Sequence, residues 1–223
     1  MDASTLADRK VRVRKLIRKL KTVFPDAKLA LRHRTHWQLM VAVQLSAQST
    51  DKKVNEIVPE LFKRYKTVQD FAEADLPALQ EAISSVLYYK NKGKNIKAAA
   101  QKVVADFRGR LPRTMEEMLT LPGVARKTAN VVLGTLFQVY DGIVVDTHMI
   151  RFARRFALSD FKDAVRIERD LMAIVPKKDW YQFSYLVVDY GRLYGNPRGK
   201  SVLHQQDPLL RLYPPAKNYW PSS

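Results

Sequence analysis

The sequence contains no cysteine. That absence excludes disulfides, thiol catalysis, zinc sites of the thiolate type and any iron–sulfur cluster held by cysteines. Histidine is scarce, at four residues, and no clustered carboxylates accompany it, so no metal or other cofactor is expected. No window holds eighteen consecutive apolar residues, so nothing is predicted to span a bilayer. The basic N-terminus lacks the apolar segment of a secretory signal, and an intracellular protein of the cytoplasm or nucleoid is expected. Acidic residues are outnumbered, 22 against 39 Lys and Arg, which gives a net charge of +17 and a pI near 10.0. Such an excess points to a polyanionic partner, nucleic acid ahead of a membrane surface.

What is present is enough to fold. Hydrophobic residues make up 46% of 223 positions, sufficient for a substantial core in one large or two small domains. Their spacing reads as helix almost throughout, without convincing strands, so the chain is predicted to be all-α. Over residues 12–24, Val13, Leu16, Ile17, Leu20 and Phe24 share one face, with Arg and Lys opposite. Such a helix either packs inward with a solvated back or lies on a membrane; inward packing is expected. Residues 37–45 form an apolar run with Leu, Met and Val, long enough for a buried helix. Asp51 opens a helix carrying Val54, Ile57, Val58 and Leu61, and Asp75 with Pro77 starts another. Residues 94–107 repeat the pattern. Further helices are predicted over 147–156, after a Ser159 cap, and from Trp180 to a stop at Gly191.

The most informative stretch is Leu-Pro-Gly-Val-Ala-Arg-Lys-Thr-Ala-Asn at 121–130. Thr114 and Glu117 have capping-box spacing ahead of a short helix, which Pro122 and Gly123 end. A second helix begins near Ala125 and carries Val131, Val132, Leu133 and Leu136 inward. Helix, tight hairpin, helix is the local prediction. Open amides at the second helix's start favour an anion, in a basic protein a DNA phosphate held without base reading. Arg126 and Lys127 sit at the end of the helix where positive charge is unfavourable, so stability alone does not place them there. Against this stands the plainer reading of a solvated basic turn.

Leu121 to Asn130 resembles the helix-hairpin-helix of the endonuclease III family of DNA glycosylases. Val145-Asp146-Thr147-His148 resembles that family's catalytic aspartate segment, and Gln44-Leu-Ser-Ala-Gln-Ser-Thr-Asp51 its Leu-Ser-Ala-Gln-x-Thr-Asp loop. Residues 86–96 are similar to its second DNA-facing hairpin. The resemblance runs from about Leu39 to Phe156, more weakly to Arg192. It implies two helical domains with DNA in a groove between them. One is a six-helix barrel-like domain over 29–140 that contains the helix-hairpin-helix. The other is discontinuous, built from 1–28 and 141–223. Most members carry a four-cysteine cluster near the C-terminus. Here Gly195, Gly199 and Val202 stand about where ligands would be, so the chain reads as a variant without the cluster. Apolar packing by Val202, Leu203, Leu209, Leu210, Leu212 and Tyr213 is expected instead.

The implied activity is base excision repair by a monomer acting on double-stranded DNA with damaged bases or abasic sites, without a membrane partner. A base inside a duplex must be extruded before chemistry can reach it. Lys127 is the candidate nucleophile for a Schiff base at C1′. Its place beside Arg126 at a helix terminus, partly desolvated, would favour the neutral amine. Asp146, nineteen residues on, is the candidate carboxylate for stabilising positive character at C1′, meeting Lys127 across a domain cleft. Capping the helix at Thr147 is its alternative and compatible role. Lysine at position 127 implies a bifunctional glycosylase/AP lyase, with oxidised pyrimidines as the substrates. DNA contacts are expected from Gln48, entering the gap, from Tyr88, as a wedge, and from Leu121, Gly123, Ala125, Arg126, Thr128 and His148. Tyr88 and Tyr89 as core residues is the competing assignment, because Leu87 replaces an expected glycine. Lys90, Lys92 and Lys94 contact phosphate or form a solvated face. Two other functions compete with the lyase: a helix-hairpin-helix protein that binds DNA or abasic sites without excision, and a monofunctional mismatch glycosylase.

Overall fold

A helix with no polar face has to be surrounded, and residues 37–45 are every one of them buried in α2 (His36–Ser46). The computed structural model describes residues 3–195 and 206–219. The chain divides into two units, Ala30–Asp141 and the pair Met1–Leu29 with Gly142–Ser223.

In the unit 30–141, α2 packs against α3 (Asp51–Arg64), α6 (Tyr89–Phe107) and α8 (Arg126–Phe137). Thr35 caps α2 and Thr50 caps α3, each accepting a first-turn amide. Two short helices, α4 (Val68–Glu73) and α5 (Leu76–Ala82), lie on α6. Asp75 caps α5 with Pro77 in the first turn, as its sequence predicts, whereas α4 has too few residues to show a period. Gln44 reaches the Pro122 carbonyl at 3.0 Å, and His36 meets the Phe137 ring edge-on at 5.3 Å. Opposite ends thus meet, and α2 and α8 run antiparallel.

The other unit holds α1 (Ala3–Val23), α9 (Thr147–Arg155), α10 (Ala164–Ile174) and α11 (Trp180–Leu193). Val13, Leu16 and Leu20 are fully buried, so the apolar face of α1 packs within its own unit and does not lie on a membrane. This helix starts nine residues before the predicted position 12. Arg9, buried, donates to both carboxylate oxygens of Asp160 at 2.7 Å, and Arg12 caps the end of α9 through the carbonyls of Phe156 and Ala157. Phe152 lies at the centre of an aromatic cluster with Phe156, Phe183 and Tyr190.

Two predicted helix ends are corrected. Ser159 does not cap α10; Asp163 does, and the Ser159 hydroxyl donates to Asp170 at 2.7 Å. Nor does Gly191 stop α11, which continues to Leu193. A Cβ on Gly191 would stand 2.2 Å from His148 Nδ1, so this glycine lets α9 and α11 approach closely. No helix among the described residues is long and apolar enough to cross a membrane.

Candidate active site

The hairpin forms as its residues dictate. Thr114 caps α7 (Met115–Leu119), accepting the Glu117 amide at 3.3 Å. The reciprocal half of a capping box is replaced: the Glu117 carboxylate takes the Thr114 hydroxyl at 2.9 Å. Gly123 then turns the chain at φ +74, and a Cβ there would sit 2.8 Å from Asn95 Cβ on α6. Only glycine satisfies both demands. Leu121 anchors the hairpin: its side chain is buried, its amide donates to Met118 and its carbonyl accepts from Val124.

Ala125 is the N-cap of α8 at φ −94, without a side-chain cap. The first-turn amides therefore keep their positive end open toward an anion. Gly123, Ala125 and Lys127 are exposed and Thr128 is half-buried. The expected partial desolvation of Lys127 is not found: on the outward first turn of α8 its side chain is exposed. Arg126 is engaged within its own unit. Its guanidinium holds the Asp141 carboxylate at 3.0 Å and the Asp141 carbonyl at 2.8 Å, tying the hairpin helix to the chain that leaves it.

Gln48 and Tyr88 share an unusual backbone. Both are exposed, and both adopt left-handed φ, +56 and +58, which costs a non-glycine residue about 1–2 kcal/mol. Tyr88 is 61% exposed, so the core assignment fails for it. Lys90 and Lys94 are exposed, but Lys92 is neither solvated nor a phosphate contact. It is buried, and its ammonium donates to the carbonyls of Leu45 (2.8 Å) and Ala47 (2.6 Å) and to Ser49 Oγ (3.2 Å). Burial pulls its pKa below the ordinary value.

In the other unit, half-buried Asp146 is the N-cap of α9. Its Oδ1 accepts the amides of His148 and Met149, both at 2.9 Å, and neither bond uses Oδ2. The capping role is therefore real, and it leaves one carboxylate oxygen outside the cap. His148 turns its ring to Gly191, with Nδ1 3.2 Å from Arg151 Nη2.

Residues 41–177 match the HhH-GPD superfamily of base excision DNA repair proteins. Endonuclease III of Synechocystis sp. is 45% identical over 187 residues, 84% of this chain and 85% of that protein. Endonuclease III of Bacillus subtilis is 41% identical, over 87% and 88%. The chain belongs to the endonuclease III family. A solved structure of a trapped endonuclease III–DNA covalent intermediate superposes with a TM-score of 0.86 at 35% identity, covering 93% of this chain and 97% of that one.

Membership raises the question of the family's cysteine-held cluster. A chain with no cysteine offers it no thiolate. Among the ligand positions the resemblance suggests, a Cβ on Gly195 would stand 2.7 Å from Gly191 Cα, and positions 199 and 202 lie outside the described residues. The residues present do not fit such a cluster. The C-terminal segment instead buries a polar group: Asp207 accepts from Arg155 (2.9 Å), the Tyr190 hydroxyl (2.6 Å) and the Leu209 amide (2.9 Å). Tyr190 is kept neutral, its phenol pushed far up by burial and by the Asp207 carboxylate. Of the apolar residues expected here, Leu209 is fully buried, Leu210 and Tyr213 are half-buried and Leu212 is exposed; Val202 and Leu203 lie outside the described residues. No group of three or more His, Asp or Glu among the described residues is arranged to hold a metal ion.

Proposed function

We infer that the chain is a bifunctional DNA glycosylase/AP lyase of base excision repair, acting on duplex DNA that carries damaged bases or abasic sites. One observation carries the assignment of roles: an exposed lysine on the first turn of an uncapped hairpin helix, in the fold of an enzyme trapped covalently on DNA. The hairpin amides hold a backbone phosphate, which brings the sugar to Lys127. The neutral amine attacks C1′, and the base leaves with its bonding pair and a proton. Asp146 stabilises the positive character that develops at C1′. The nitrogen lone pair then breaks the C1′–O4′ bond, O4′ takes up a proton and the sugar opens to a protonated Schiff base; removal of a proton from C2′ expels the 3′-phosphate. Hydrolysis of the imine frees the enzyme.

Gln48 and Tyr88, exposed on constrained turns, enter the duplex as the nucleotide swings out. Oxidised pyrimidines are the proposed substrates, and a panel of lesions in duplex oligonucleotides checks that class directly. Working on DNA, the protein acts in the cytoplasm or nucleoid. Borohydride trapping on abasic-site DNA tests the chemistry: wild-type protein cross-links and Lys127→Ala does not. Equal trapping of the two, or strand scission undiminished in Lys127→Ala, removes Lys127 from the reaction. Binding without any trapping would leave a non-catalytic abasic-site protein, and excision without nicking a monofunctional glycosylase.

A further inference from the structure

We propose that Lys92 is a positioning residue for duplex entry: it joins the Gln48 loop and the Tyr88 turn into one insertion unit. The proposal rests on the reading above for the roles of Gln48 and Tyr88, and adds a residue that itself touches no DNA.

The ammonium of Lys92 has three donors and uses all three. Two go to carbonyls at the end of α2, Leu45 and Ala47, where a helix leaves its last carbonyls without internal partners. The third goes to Ser49 Oγ. Ala47 and Ser49 are the two neighbours of Gln48, so the side chain is gripped on both sides of the residue it presents. The backbone of Lys92 serves the other turn, its amide donating to the Tyr88 carbonyl at 3.0 Å. One residue thus fastens both left-handed, exposed side chains. Among the described residues no carboxylate pairs with this ammonium; helix-end carbonyl dipoles meet its charge. Burying a cation is costly, and capping α2 needs only the buried Leu45 carbonyl; the other two acceptors, on Ala47 and Ser49, are part-buried and flank Gln48.

The test is fluorescence of 2-aminopurine placed beside a non-cleavable abasic analogue in a duplex, which reports insertion whether or not any bond is broken. Excision of a lesion is followed in parallel. Wild type is expected to give the insertion signal, Gln48→Ala to lose most of it, and Lys92→Met to lose it by about tenfold or more. Because the two act as a unit, Lys92→Met adds nothing to Gln48→Ala in the double variant. An unchanged signal in Lys92→Met, or losses that multiply in the double variant, overturns the proposal; so does a wild type with no insertion signal. If wild type inserts but excises nothing, the glycosylase reading fails and the Lys92 assignment stands. Should Lys92→Met not fold, Ser49→Ala decides, since it removes one acceptor and keeps the ammonium on two carbonyls. A severalfold loss of signal supports the clamp, and full signal sinks it.

Discussion

Asp146 has two roles that one substitution can separate. As an N-cap it accepts two amides at 2.9 Å through a single oxygen. Asparagine caps as well as aspartate does, so Asp146→Asn keeps the geometry and gives up only the charge–dipole term of about 0.3–1 kcal/mol. Alanine loses the cap as well, and Asp146→Ala should cost about 1–2 kcal/mol. For a chain of this length each 1 kcal/mol lowers the melting temperature by roughly 2–4 °C, within reach of calorimetry or urea unfolding. Chemistry responds differently. If Asp146 stabilises positive charge at C1′, the neutral amide removes that stabilisation entirely, and single-turnover excision should fall about 100- to 1,000-fold in Asp146→Asn. The expected signature is a nearly wild-type melting curve with a collapsed excision rate. Excision in Asp146→Asn within about threefold of wild type would refute the argument, since a cap alone would predict that outcome.

Asp207→Ala leaves Arg155 buried without its anion, and urea unfolding should show a loss of about 3–5 kcal/mol. Gly191→Ala drives a methyl group to 2.2 Å from His148 Nδ1, so the His148 ring or α9 must shift; a destabilisation of about 1–3 kcal/mol by thermal melting is expected, with slower excision where α9 moves, because Asp146 caps that helix. Asp70 accepts the amides of Lys66 and Thr67, with the Thr67 backbone bond foremost in holding its carboxyl below the ordinary 3.8. A lowered carboxyl pKa adds stability that is present above 3.8 and fades as pH falls through the lower folded value. Its exposure keeps this below about 1 kcal/mol. Acid unfolding of Asp70→Asn should therefore show a shallower pH slope than wild type.

The hairpin was legible because its signals are local. Thr114, Gly123 and the apolar spacing after Ala125 act within a few residues of themselves, and the chain folds there as they dictate. Asp146 was legible as a cap for the same reason. What escaped the sequence depends on distant partners. Arg9 looks like one more solvated cation until Asp160, 151 residues away, accounts for its burial and extends α1 toward the N-terminus. Lys92 sits in a run with Lys90 and Lys94 that reads as one basic face, but its acceptors are 43 to 47 residues upstream. Gly191 was misread because glycine gives the same local signal for a helix stop and for close helix packing.

The cysteine-free C-terminus shows how such a long-range choice constrains a fold. Apolar packing fixes position weakly there, since Leu212 remains exposed and Leu209 alone of the four described candidates is fully buried. The Arg155–Asp207 pair is fixed much more tightly. Asp207 must meet the guanidinium, the Tyr190 hydroxyl and the Leu209 amide together, and a shift of one residue in register would break all three. A buried ion pair is weak evidence for added stability, and fixing register is its best-attested use. The pair joins α9, which Asp146 caps, to α11 and the chain beyond it through Arg155, Tyr190 and Asp207. On that argument, replacing Arg155 and Asp207 together with apolar residues of similar volume should leave unfolding stability close to wild type or higher. It should also blur the placement of residues 206–219, read as faster amide exchange there. Slow exchange in the double variant would mean that the aromatic cluster around Phe152, not the ion pair, sets the register.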